Sequence, residues 1–572
     1  MKKIIALLLA GAMAVSMAAC GKGSTTSSAA SGTASAAESS AASTPAATDL
    51  ASQSKYPGTP DKDMITVNMV SEPPEMNSML TTDTGSSAIQ REVLAGLTKL
   101  DKNDNPIPDI AESWTVSNEN KTYTFKLRKD AKWSNGEPVT AKDFVFAWTT
   151  IMTKATASEY SFILCDNIKG GQDFYDGKIK ADGLGIKAAD DYTLEVTFEH
   201  PIPYALQLFS FQTYLPVNQK AYESIGAANY GKDADKIATN GAYKIASWTH
   251  NESITLEKNP DYWDAANVGI PKIKFMMLAD ANATLNAFKA GQLDFMTVGS
   301  TTMPQFQAEG QPLANYTSGG VWYVQYNTKD KAFANAKIRQ AFGMAIDRES
   351  LVKNVLKDGS QVATGITPSG IAGANGKYAE ARGDITLKFD PTKAKQLLDE
   401  GLKEVGMTKD QLKVAFLTGN TTAAVRDSTF MQEQWKTNLG VSVELKPMVF
   451  KARLAAMTSG DFQMVYAGWS PDYNDPLTFL DLWTTTNGNN HGKYSSATYD
   501  KYITDAINAA DPAKRQEILI TAEKLAVQQD APLTPLYFDV INYTTSQKFT
   551  GGTYTGFQGW PGDYTDGAKL TK

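Results

Sequence analysis

The sequence predicts an α/β protein of at least two lobes, and three observations carry that reading. At 572 residues the chain exceeds what a single hydrophobic core holds. Its first half carries runs of alternating polar and apolar residues, as half-buried strands do, with helical stretches between them. Its second half alternates short apolar runs with helix-length stretches, the pattern of parallel strands joined by crossover helices.

Residues 1–19 open on Met1-Lys2-Lys3 and continue apolar and small. That run is too short and too alanine-rich to span a bilayer, so it reads as a secretory signal peptide. Residues 20–60 are Ser, Thr, Ala and Gly with few large apolar side chains. Such a segment buries too little surface to offset its ordering entropy and is expected to be a flexible tether. Structure is then expected from about residue 61.

Residues 64–70 form a strand, and 85–97 a helix with Ile89, Val93 and Leu97 on one face. Alternation puts Tyr123, Phe125 and Leu127 on one side of a strand over 122–128. Thr140 and Asp143 resemble a capping box, with Asp in place of the usual Glu. The helix after it places Phe144, Ala147, Trp148 and Ile151 on one stripe. Residues 191–198 alternate again, and Asn240-Gly241 marks a turn between short strands at 236–238 and 243–248. A strand over 272–278 precedes a helix over 281–290, which Gly291 closes, and a strand over 293–296. Residues 321–326 are nearly all apolar, as in a strand covered on both faces. A long helix is expected over 337–356. Strands over 412–417, 441–447 and 462–467 alternate with helices over 425–438 and 453–458. The tail is helical over 499–530 and returns as a strand over 536–543, so the default site is the cleft between the lobes.

Composition excludes several function classes. A net charge of -7 with no basic block argues against nucleic acid as partner. His200, His250 and His491 are scattered, with no metal-binding spacing, and no Walker, GxGxxG or GxSxG motif is present, so no cofactor or metal is expected. Cys165 has no partner for a disulfide once Cys20 is assigned to the leader, and reads as a small buried residue.

The candidate site is the loop from Gly468 to Pro476, Gly-Trp-Ser-Pro-Asp-Tyr-Asn-Asp-Pro, at the end of an apolar strand. Its two prolines stiffen it. Acids beside aromatic rings at the carboxyl end of a strand suit recognition of a ligand cation. Turn chemistry selects Asp, Asn and Pro as well, so Asp472 and Asp475 are also readable as ordinary turn acids. As a carboxylate pair they also admit a surface glycosidase.

Several stretches together resemble family 5 of the bacterial extracellular solute-binding proteins. They are Pro108 to Trp114, Phe125 to Trp148, Thr239-Asn-Gly-Ala-Tyr243, Asn259-Pro-Asp-Tyr-Trp263, Ile338 to Phe342 with Ala345-Ile-Asp-Arg348, and the 468–476 loop. The nearest branch is that of the oligopeptide-binding lipoproteins of ATP-driven importers. The resemblance implies a two-lobed clamshell, periplasmic-binding-protein-like (type II, three-domain variant), with mixed sheets. Domain I would hold 61–96, 219–319 and 538–572, domain II 97–218 and domain III 320–537, with a hinge near 319 and 538. Small residues before Cys20 resemble a lipobox, implying lipidation of Cys20 and attachment to the outer face of the cytoplasmic membrane. The implied function is capture of an oligopeptide by main-chain hydrogen bonds and its delivery to the permease of an ABC transporter, by a monomer that is not an enzyme.

Residue by residue, the resemblance places the peptide's α-ammonium on Asp472. Gly468 and Ser470 would offer backbone groups, Trp469 would wall a side-chain pocket, and Tyr160 would touch the ligand. Thr82, Asp83 and Thr84 would lie at a strand edge lent by the first lobe. The chain departs from the family where members that fix short peptides by their carboxylate carry basic residues. Tyr466, Met457 and Thr458 stand in those places. Within the same fold, an oligosaccharide, a nickel complex or another small solute is the alternative ligand.

Overall fold

The computed structural model describes residues 47–557 and 562–571. The signal peptide, Cys20 and most of the tether lie outside the described residues. Among those described, no helix is long and apolar enough to cross a membrane.

The alternating and apolar runs assemble into one eleven-stranded sheet and a separate four-stranded one. The long sheet runs Val443–Met448, Val414–Gly419, Met464–Trp469, Ala314–Tyr326, Leu533–Thr545, Phe295–Thr297, Met64–Met69, Lys272–Met277, Ser253–Lys258 and Tyr243–Thr249, with Gln361–Val362 added on Leu533–Thr545. Two 13-residue strands, Ala314–Tyr326 and Leu533–Thr545, join its two ends. They pair antiparallel, with irregularities between Thr317 and Val321, where Gly319 takes φ +71°. Parallel pairing of Val414–Gly419 with both its neighbours reflects the crossover helices Thr422–Leu439 and Phe450–Ser459. Ala111–Ser117, Thr122–Leu127, Thr193–Thr197 and Ile186–Asp190 form the smaller antiparallel sheet, so the two lobes are mixed α/β as the resemblance implied.

Local chemistry explains much of this. Asp143 accepts the Thr140 N–H at 2.8 Å, starting the Ala141–Ile151 helix, whose Phe144, Ala147, Trp148 and Ile151 are buried. Three of the family-like motifs prove to be mutual supports. The Trp263 indole donates to Asp109 at 2.8 Å while the Arg128 guanidinium lies 3.6 Å from the Trp263 ring centre. Asn240 exchanges two hydrogen bonds with the backbone of Ala95, at 2.9 and 3.0 Å. A Cβ on Gly241 would stand 2.6 Å from the Leu94 nitrogen, so only glycine lets that loop approach.

Three expectations are corrected. The tether does not extend to residue 60: Ala47–Gln53 is helical, and Leu50 and Ala51 are buried. The Tyr56 ring packs 5.2 Å from Phe288, and Thr59 donates twice to the fully buried Asp294, at 2.9 and 2.7 Å. The helix expected over 337–356 is broken. Ala336–Met344 ends, Asp347 caps a new turn, and Arg348 is drawn inward to the carbonyls of Ala363, Pro535 and Leu387. Residues 236–238 are irregular rather than a strand.

A chain trimmed to begin at residue 61 loses the Tyr56 packing and two hydrogen bonds to a buried carboxylate. It is expected to be less stable than one beginning at residue 47 by about 3 kcal/mol or more, read by urea unfolding. Superimposable unfolding curves would return residues 47–60 to the tether.

Candidate functional site

Met464–Trp469 lies antiparallel to Ala314–Tyr326, with Gly468 opposite Trp322 and Trp469 opposite Val321. Strand alternation turns Ala467 and Trp469 to the cleft and Tyr466 to the opposite core. The Tyr466 hydroxyl lies there 2.6 Å from that of Tyr537 and donates to Asp427 at 3.1 Å. The position where a basic residue was looked for therefore does not face the cleft in this chain.

The loop after the strand is held from several sides. Tyr473 stacks on Tyr204, ring centres 4.1 Å apart and 5° from parallel. The Asn474 N–H donates to Gln207 at 2.9 Å, and the Asn474 side chain accepts from the Ala372 N–H at 2.8 Å. Asp475 receives both Nη atoms of Arg515 at 2.8 Å. Asp475 is thus a structural ion pair, which removes it from the candidate glycosidase pair.

This bracing fixes Asp472. Its N–H donates to the Thr478 hydroxyl at 2.9 Å, and its carboxylate accepts the Tyr160 hydroxyl at 3.1 Å. Among the described residues no basic side chain pairs with it. Burial pushes its pKa up to about 8, against the lowering effect of the hydrogen bonds from Tyr160 and Thr478. Tyr160 is raised in turn, by burial first and then by Asp472.

Thr82, Asp83, Thr84, Tyr160, Gly468, Trp469, Ser470 and Asp472 all line one cavity of about 400 Å³. The expectation of a strand edge at 82–84 is corrected. Asp83 is the N-cap of the Thr84–Val93 helix and accepts the Ser86 N–H at 2.8 Å, the role its short acceptor side chain suits. Burial raises Asp83 to about 6. The Trp469 Nε1, both polar side-chain atoms of Asn489 and the Gln90 Oε1 line the same space without a partner in the protein. Across the cleft mouth His491 approaches Glu159 at 3.2 Å, and Gly488 packs where a Cβ would meet the Glu159 carbonyl at 2.4 Å.

Sequence reasoning missed Trp322, Tyr323, Arg453, Asn489 and His491 as lining residues. For Arg453 a signal existed. It lies one helical turn before Met457, where a basic residue was expected, so a shift of four residues keeps the same helix face.

Two lobes joined by paired strands, with a polar-and-aromatic cavity at strand ends between them, define a solute-binding protein of the clamshell class rather than an enzyme. The family model for bacterial extracellular solute-binding proteins, family 5 (middle region), matches residues 105–491, and the chain belongs to that family. It is 33% identical over 500 residues to the oligopeptide-binding protein OppA of Bacillus subtilis, covering 86% of this chain and 90% of that one. It is 35% identical over 482 residues to the dipeptide-binding protein DppE of the same species, covering 84% and 87%. The structure of Listeria monocytogenes OppA bound to peptide superposes with a TM-score of 0.84 at 33% identity, covering 89% of this chain and 99% of that one.

An aspartate titrates near 3.8 when unfolded and near 8 in this site. Between those values the folded state keeps a proton that the unfolded state has lost, so stability falls as pH rises from about 4 to about 8. Asp472→Asn is expected to abolish that fall in ligand-free protein. It should match wild type near pH 4 and exceed it near pH 8 by on the order of 3 kcal/mol, allowing for the carboxylate's contact with the open cavity. A stability gap that does not widen with pH would contradict this assignment.

Proposed function

We propose that this protein is the peptide receptor of an ABC importer, a lipoprotein held by Cys20 on the outer face of the cytoplasmic membrane. It works as a monomer and hands its cargo to the permease subunits. The observation that carries the reading is Asp472, an enclosed carboxylate with no cation beside it in a cavity between the lobes. A buried acid left unpaired is costly, and a ligand ammonium relieves the cost. Both OppA and DppE of Bacillus subtilis are named for peptide binding, which supports an α-ammonium as that cation.

The rest of the cavity suits a peptide backbone. Trp469 Nε1, Asn489 and Gln90 Oε1 offer a donor, a donor–acceptor pair and an acceptor, none spent within the protein. Backbone N–H and C=O groups are common to all peptides, so such contacts read the chain and not its sequence. Water in the remaining space accommodates different side chains. Trp469 walls one pocket beside Tyr160, ring centres 6.1 Å apart.

Small molecules released by denaturing the purified protein, identified by mass spectrometry, test the ligand class. Peptides are expected. Titration calorimetry with a released peptide should then show loss of affinity on N-acetylation, and Asp472→Asn should weaken the unmodified peptide by about 2–5 kcal/mol. At pH 7 binding should also release protons from the protein, because the ammonium drives Asp472 to ionise. Released sugars or metal complexes would overturn the peptide reading. Indifference to acetylation would overturn the role of Asp472.

A further inference from the structure

Six acids line the cavity: Asp83, Asp109, Asp472, Asp539, Asp563 and Asp566. Three have a base beside them. Asp566 pairs with Lys99 at 2.8 Å, Asp109 lies in the field of Lys99 and Arg128, and Asp563 in that of Arg91 and Lys99. Asp83 is spent as a helix cap. Asp472 has the role given above, and Asp539 is left. Among the described residues no basic side chain pairs with Asp539, and the nearest charge acting on it is that of another acid, Asp358. Its backbone setting is unusual. Thr317 lies opposite Val540 and Val321 opposite Phe538, so Ser318, Gly319 and Gly320 stand against the single residue Asp539. The Ser318 hydroxyl donates to the carboxylate and accepts the Gly320 N–H at 2.9 Å. A Cβ on Gly320 would stand 2.9 Å from the Asp539 Oδ1, so the glycine leaves the carboxylate uncovered. Tyr316 and Trp322 flank it and line the same cavity. The buried Tyr316 hydroxyl has no partner among the described residues. Burial raises the Asp539 carboxyl, and an enclosed acid stays costly until a cation meets it.

We propose that Asp539 seats a cationic side chain of the bound peptide, so that the cleft prefers lysine or arginine at one position. This deepens the peptide reading and rests on it. A carboxylate covered only by a hydroxyl, with ring faces beside it and an unspent phenol at hand, suits an ammonium or a guanidinium. The cation it takes is not the α-ammonium. Val321 lies opposite both Trp469 and Phe538, so the strand carrying Asp539 runs two inter-strand spacings, about 10 Å, from the strand that leads to Asp472. The acids whose charge reaches Asp539 include Asp358 and not Asp472. A peptide held by its amino end at Asp472 therefore meets Asp539 with a side chain. Main-chain contacts accept any sequence, and this acid adds a preference to them.

The test is titration calorimetry of the purified protein at neutral pH with alanine tri-, tetra- and pentapeptides. In each, one residue after the first is lysine, arginine or the neutral, similarly shaped norleucine. At one position lysine or arginine is expected to exceed norleucine by about 10-fold or more. Asp539→Asn keeps an oxygen for the Ser318 hydroxyl and should bring that ratio to about one, while the N-acetylation penalty set at Asp472 remains. Asp539→Glu advances the acid by one methylene and should move the preference from lysine to the shorter ornithine. It keeps the charge, so it tests the assignment if Asp539→Asn does not fold. A carboxylate that serves only to hold the Ser318–Gly320 turn would lower the melting temperature of Asp539→Asn and leave the ratio unchanged. Peptides that bind with a normal acetylation penalty but no preference for a cationic residue overturn this proposal alone, as does a preference that survives in Asp539→Asn. Failure of every peptide to bind overturns it together with the peptide reading.

Discussion

The structure depends on a carboxylate enclosed without a cation. Asp472 is placed by a loop whose every neighbour is tied down: Tyr473 by stacking on Tyr204, Asn474 by Gln207 and Ala372, Asp475 by Arg515. Four anchors around one unpaired acid keep it from turning away to water. A flexible loop would relax until the charge was solvated, and the driving force for ligand would be lost. On the proposed role of Asp472, this rigidity is what turns a desolvation cost into affinity.

On the proposed role of Asp472, the same loop would couple ligand to closure. Asp472 and Tyr473 follow the Met464–Trp469 strand of the large sheet, and they reach Tyr160 and Tyr204, 312 and 269 residues away in sequence, by a hydrogen bond and a ring stack. An ammonium on Asp472 is best enclosed when those contacts are made. Binding and closure then favour one another, because a ligand shifts the lobes only as far as it prefers the closed arrangement. The two long paired strands that join the ends of the large sheet carry an irregularity beside Gly319.

Much of this was legible in the sequence because two periodicities, 2 and 3.6, mark strands and helices wherever one face is buried. The Asp472 loop was singled out by its prolines, rings and acids at a strand end, but turn chemistry selects the same residues, and only the family resemblance favoured a ligand role over an ordinary turn acid. What was not legible has long-range causes. Tyr56 and Thr59 look like tether residues until Glu309 and Asp294 are brought to them, the latter 235 residues away in sequence. The break after Met344 has no proline to announce it, and Gly343 lies within the helix and not at its cap. It follows from Arg348 being pulled to carbonyls of three distant segments. Thr82 to Thr84 read as an edge strand by resemblance, whereas Asp83 as a helix cap was readable from residue chemistry alone.

Arg453 shows why charge matching is read from structure and not from composition. In the sequence it sits in a short helix-length stretch, where an arginine usually marks the solvated face. Folding places that face over the Met464–Trp469 strand and encloses the guanidinium beside Tyr323 and Phe450. The net charge of -7 gives no hint of this, since Lys99, Arg91 and His491 each have acids at hand. Once those local matches are set aside, Arg453 is a cavity base answered by a ring, while Asp83, Asp472 and Asp539 are cavity acids answered by hydroxyls and backbone N–H groups and not by cations.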